Sequence, residues 1–116
     1  MSGTPTVFTF NDGTPEISVS HEIINSGSYG GDNNKSRLLT AVIGTSCTNI
    51  AENTFYDCRT LTSVTIPNTV TAIYSNTFKY ASSLTSITIP DSVTTINDYA
   101  FFGCTNLTDL TIPDSV

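Results

Sequence analysis

The chain has 116 residues, ten acidic and four basic, a formal charge of −6 and a pI near 4.2. That length suits one domain, and the four cations, Lys35, Arg37, Arg59 and Lys79, are too few for the basic stripe that a nucleic acid or an anionic membrane surface requires. No apolar run approaches the roughly 18 residues of a membrane span, and no basic segment followed by an apolar one opens the chain, so neither membrane insertion nor a signal peptide is expected.

Residues 1–37 do not repeat. Val7-Phe-Thr-Phe10, the reversal Asn11-Asp12-Gly13 and Glu16-Ile-Ser-Val-Ser-His-Glu-Ile23 read as strand, turn, strand. Asn25 to Ser36 is glycine-rich and polar, the composition of a loop. Asp32, Asn33 and Asn34 lack the spacing and the distal glutamate of a calcium loop.

From residue 38 one pattern recurs, with Leu38, Leu61, Leu84 and Leu107 each 23 residues apart. Leu61-Thr-Ser-Val-Thr-Ile-Pro67 matches Leu84-Thr-Ser-Ile-Thr-Ile-Pro90 and Leu107-Thr-Asp-Leu-Thr-Ile-Pro113. Val64 and Ile66 alternate with Ser63 and Thr65, the period of a strand with one buried face. Pro67, Pro90 and Pro113 end these strands because proline has no N–H to give. A second extended stretch is expected over Val70–Ile73 and Val93–Ile96, and a single helical turn over 53–58 and 99–104 that buries its phenylalanine. Such a period predicts a solenoid, mostly β, whose coils bury their apolar sides only by stacking. Phe55, Phe78 and Phe101 then form one file, and the strands form a parallel ladder.

The run L-x-x-V/I-x-I-P-x-x-V-x-x-I-x-x-x-A/T-F-x-x-C/A over residues 38–116 resembles the BspA-like class of leucine-rich repeat. The resemblance implies a solenoid of the kind found in surface and secreted proteins, often linked to adhesion, and hence an extracellular or cell-surface location. The expected organisation is an N-terminal β-hairpin cap and polar loop over 1–37, then a solenoid of three full coils and a truncated fourth over 38–116. The cap is expected because a solenoid end needs a polar cover.

Three cysteines stand in repeat register: Cys47 at a valine position, Cys58 and Cys104 in one column with Ala81 between them. Two coils separate Cys58 from Cys104 by roughly 9–10 Å, beyond the reach of a disulfide, so three buried free thiols are expected. His21 is the only histidine and no C-x-x-C occurs, which disfavours zinc. Ser20, His21 and Glu22 are adjacent strand residues and cannot converge on one atom. No catalytic, metal or cofactor site is predicted. Asn34-Lys-Ser36 and Asn106-Leu-Thr108 match the glycosylation acceptor pattern, as chance triplets do in a chain rich in Ser, Thr and Asn.

Two surfaces are candidates for function. The outward strand positions form hydroxyl-rich columns, Ser63, Ser86 and Asp109 beside Thr65, Thr88 and Thr111, suited to an extracellular protein or a glycan. The last repeat stops at Val116, so Leu107, Leu110, Ile112 and Val116 would leave an apolar cross-section uncovered. This end is expected to stack on the N-terminal region of another copy, around Val7, Phe8 and Phe10. Such a head-to-tail contact, if it does not close, builds a filament. Self-assembly is the leading functional expectation, with adhesion through the strand face as the alternative.

Overall fold

Val64 and Ile87 are buried while Ser63, Thr65, Ser86 and Thr88 are exposed, so each repeat lays down a short strand with one apolar face. The computed structural model describes residues 3–10, 16–19, 23–30 and 32–116. On one side of the molecule lie β1 (Thr6–Phe10), β2 (Ile17–Val19), β4 (Leu38–Val42), β6 (Ser63–Thr65), β8 (Ser86–Thr88) and β10 (Asp109–Thr111). On the other lie β3 (Ile23–Ile24), β5 (Asn49–Ile50), β7 (Ala72–Ile73) and β9 (Thr95–Ile96). The reversal at residues 11–13 lies outside the described residues.

Parallel pairing follows the repeat. Thr40 faces Ser63 and Val42 faces Thr65 between β4 and β6, while Ser86 faces Asp109 between β8 and β10. At the back, Ile50, Ile73 and Ile96 stand in register through β5, β7 and β9. The expected front ladder is not continuous. Its strands form one sheet ordered β2-β1-β4-β6 and a second made of β8 and β10. Between the β6 and β8 repeats, the back ladder continues and Ser92 Oγ donates to the Val70 carbonyl at 2.6 Å.

The segments expected as single helical turns are not helical. Asn53, Asp57, Asn76, Tyr80 and Tyr99 have φ of 60–63°, and Gly103 has φ of 77°. Left-handed residues at this spacing cannot propagate a right-handed helix, and they release N–H groups to the next repeat. Asn53, Phe55 and Asp57 donate to the carbonyls of Ser75, Thr77 and Lys79 at 2.8–3.1 Å. Asn76, Phe78 and Tyr80 donate in the same way to Asp98, Ala100 and Phe102. A helix would have consumed these donors internally.

The phenylalanine file is present. Phe55 and Phe78 stack with centroids 5.4 Å apart, as do Phe78 and Phe101, with planes within 10°. Leu38, Leu61, Leu84, Val70 and Val93 complete the buried core. The file continues upstream, where Tyr29 stacks on Phe55 at 5.8 Å and 5°. The segment read as a polar loop therefore holds a 3-10 turn (Ser26–Tyr29) and a helical turn, α1 (Asp32–Lys35), around a fully buried tyrosine. The strand expected over 16–23 also divides. Its first part, β2, pairs antiparallel with β1, whereas β3 pairs in parallel with β5, with Ile24 facing Ile50.

Candidate functional site

Three surfaces carry distinctive chemistry. On the front, Ser63, Thr65, Ser86, Thr88, Asp109 and Thr111 are all exposed; Ser86 and Thr88 stand in register with Asp109 and Thr111, while Ser63 and Thr65 line a common depression with Ser86 and Thr88. A depression of about 270 Å³ lies along β6 and β8, floored by Val64 and Ile87. A second of about 250 Å³ lies along β8 and β10, where Asp91 and Asp109 make it acidic. Some hydroxyls of the neighbouring column hold the fold. Thr62 Oγ1 donates to the Leu39 carbonyl at 3.1 Å and Thr108 Oγ1 to that of Thr85 at 3.4 Å. Toward the N-terminal end the edge of β4 is covered, since β1 pairs antiparallel with it in the same sheet and the hydroxyls of Thr9 and Thr40 meet.

At β10 apolar side chains reach solvent: Leu110, Ile112 and Val116 are 36%, 47% and 46% exposed, while Leu107 packs partly against the core. The last turn is tied down, with Ser115 Oγ donating to the Val93 carbonyl at 2.7 Å and the Val116 N–H to the Pro113 carbonyl at 3.2 Å. The N-terminal half of the expected assembly surface needs correcting. Phe8 is wholly buried and Phe10 nearly so, because β1 sits between β2 and β4 and packs Phe8 edge-on against Tyr29 at 5.4 Å. These rings belong to the core of their own chain and offer no surface to a second copy. Val7 is half-buried in the same strand.

The third surface was not anticipated. The ammonium of Lys79 lies 5.1 Å from the centroid of Tyr99, 5.3 Å from Tyr80, 5.4 Å from Phe102 and 6.0 Å from Tyr56. Arg59 lies over Tyr80 and Lys35 over Tyr56, each at 5.5 Å. Each contact is a cation–π interaction. Tyr56, Lys79 and Phe102 share one column, each following the phenylalanine of the core file, so the repeat stacks ring, cation and ring. Gly103 permits the arrangement, since a Cβ there would approach the Tyr80 ring to 2.4 Å. The sequence signal was an aromatic or basic residue immediately after each buried phenylalanine. It is legible only once those positions are recognised as outward-facing.

The cysteines form no disulfide, and Cys47 and Cys58 are buried with Cys104 partly so, one short of the three buried thiols expected. Burial pushes the Cys58 thiol up to about 11, against a smaller lowering by its contact with the Tyr29 hydroxyl at 3.3 Å. It is therefore protonated at neutral pH and a poor nucleophile. Both acceptor-pattern asparagines use their amides internally: Asn34 Nδ2 donates to the Tyr29 carbonyl at 2.8 Å and Asn106 Nδ2 to that of Ser82 at 2.7 Å. Ser20, His21 and Glu22 lie outside the described residues. Among the described residues no three His, Cys, Asp or Glu side chains gather closely enough to hold a metal, and no helix is long and apolar enough to cross a membrane.

Parallel strands in repeat register and inter-repeat hydrogen bonds on three sides define a repeat protein of leucine-rich type. The chain belongs to the BspA type leucine-rich repeat family, whose pattern matches six copies over residues 9–116. The match begins upstream of Leu38, in keeping with the placement of β3 and Tyr29. A crystal structure of a leucine-rich repeat protein from Bacteroides ovatus ATCC 8483 is similar to it, at 28% identity and a TM-score of 0.53. That match covers 94% of this chain and 32% of the other, so this chain spans about a third of its length. Comparison with curated proteins finds no match. Membership in the family points to a role in protein–protein interaction or in structure.

Proposed function

We propose that the chain is a non-enzymatic solenoid module that stacks end to end through β10. In this reading residues 1–37, with the antiparallel pair of β1 and β2, form an N-terminal cap, and residues 38–116 form a solenoid of three full coils and a partial fourth. The observation that carries the proposal is the pairing of an open strand edge at β10 with exposed Leu110, Ile112 and Val116. Open backbone groups beside apolar side chains are a template for strand addition. The occupant is a second copy, whose outer N-terminal strand, β2, offers the matching edge. The burial of Phe8 and Phe10 leaves β2, and not those rings, as the receiving surface. A cell-surface or extracellular setting, typical of the family, accords with this reading.

The two depressions along the front face favour a second reading, adhesion to an extended protein segment or a glycan across Ser63, Thr65, Ser86, Thr88, Asp109 and Thr111. One comparison separates the two. Under end stacking, Ile112→Asp reduces particle mass in light scattering and Thr65→Lys leaves it unchanged. A mass insensitive to Ile112→Asp would rule out stacking through β10. Loss of glycan-array or cell adhesion in Thr65→Lys and Thr88→Lys, with mass unchanged, would favour the front face.

A further inference from the structure

We propose that the aromatic ridge centred on Lys79 is a docking site for a short acidic peptide segment of a partner protein. The first argument is the distribution of charge. Lys35, Arg59 and Lys79 are three of only four basic residues in a chain of net charge −6, and all three lie against the same group of rings. The ridge is thus a local cationic zone on an acidic molecule, and electrostatic complementarity selects carboxylates there.

The second argument is composition and order. Tyrosine and arginine are enriched among the residues that dominate binding energy at protein interfaces, and phenylalanine is enriched in interfaces generally. Tyr99 and Phe102 are 61% and 50% exposed and pack edge to face at 5.5 Å. The rings hold the cations in place before any partner arrives, which lowers the entropy lost on binding. Asp57 also lies on the ridge and meets Arg59 Nε at 2.6 Å, with both side chains about half exposed. The Asp57 oxygen in this pair is buried and engages Nε, so the rest of the Arg59 side chain, 60% exposed, stays open to an incoming carboxylate.

The third argument decides between a peptide and an extended polyanion. A long polyanion senses the whole −6 molecule as well as the ridge. A short segment lies within about 10 Å of the cations, the screening distance at 0.1 M salt, and senses Lys35, Arg59 and Lys79 with Asp57 rather than the whole molecule. The site is distinct from β10 stacking and from the front face, and it stands or falls independently of both.

The test uses the full chain and the labelled peptide EEYEE in fluorescence anisotropy, with KKYKK and heparin as comparators. EEYEE is expected to bind, KKYKK not to bind, and heparin to bind more weakly than EEYEE. Raising salt from about 50 to 300 mM is expected to weaken EEYEE binding roughly fivefold, because the contact is between exposed charges. Arg59→Glu and Tyr99→Ser, both at exposed positions, are each expected to weaken it roughly fivefold or more while the melting temperature holds. Absence of EEYEE binding, binding unchanged in Arg59→Glu, or tighter binding of heparin would overturn the proposal, the last outcome marking a polyanion site.

Discussion

Tyr29 lies flat on Phe55, ring planes 5° apart, although the position 23 residues before Phe55 is Asp32. The tyrosine hydroxyl donates to the Thr54 carbonyl at 2.5 Å and meets Cys58 Sγ at 3.3 Å. The first member of the aromatic file thus reaches its place from a segment of irregular spacing and is fixed there by its hydroxyl. Tyr29→Phe keeps the ring and leaves the buried Thr54 carbonyl without this donor, a loss of about 1–3 kcal/mol. Urea denaturation of the variant beside the parent checks the figure.

Phe78 sits mid-file, wholly buried between Phe55 and Phe101. Phe78→Ala is expected to cost about 3–5 kcal/mol, since it removes ring contacts to the repeats on both sides and leaves a cavity. In a domain of this size that is a large fraction of the total stability. Thermal melting followed by circular dichroism checks it, and a melting temperature near the parent value would contradict the register.

Gly103 combines a left-handed φ of 77° with a close approach to the Tyr80 ring. Gly103→Ala is expected to lose about 1–3 kcal/mol through backbone strain and to push Tyr80 off its neighbours. Tyrosine fluorescence and melting of the variant report the two effects separately.

Cys58 supplies a pH dependence whose sign can be worked out. Its ordinary value is 9.0 and burial raises it to about 11 in the folded chain. Above pH 9 the unfolded chain loses this proton first, so the unfolded state binds fewer protons and stability falls as pH rises. The contribution is intact below pH 9 and is lost progressively between pH 9 and about 11. Melting curves of the parent and of Cys58→Ala over that range are expected to converge as pH rises, because only the parent carries the titrating thiol. Native thiol labelling at pH 8 is expected to reach the partly exposed Cys104 before Cys58.

Much of the fold was legible from residue 38 onward because the signals there are strong and independent. The alternation of Val64 with Ser63 and Thr65 gave the strand faces, the three prolines gave their ends, and the recurrence of Leu61 and Leu84 gave the stacking. Upstream, β3 and Tyr29 were hidden because the spacing slips, and a lone aromatic in a glycine-rich stretch looks like loop. The turns look helical in the sequence because Tyr80 and Tyr99 are not residues that announce a left-handed backbone. The break between β6 and β8 had no sequence signal, since both strands match the pattern equally well. Of the candidate surfaces, the front columns and the apolar residues of β10 followed from register. The Lys79 ridge required knowing which residue of each turn faces outward.

Light scattering across a dilution series of the unmodified chain tests end stacking most directly. The expected result is a mass that climbs above the 12.4 kDa of one chain as concentration rises and returns to it on dilution. A mass fixed at that of one chain throughout would contradict β10 as a stacking edge between copies.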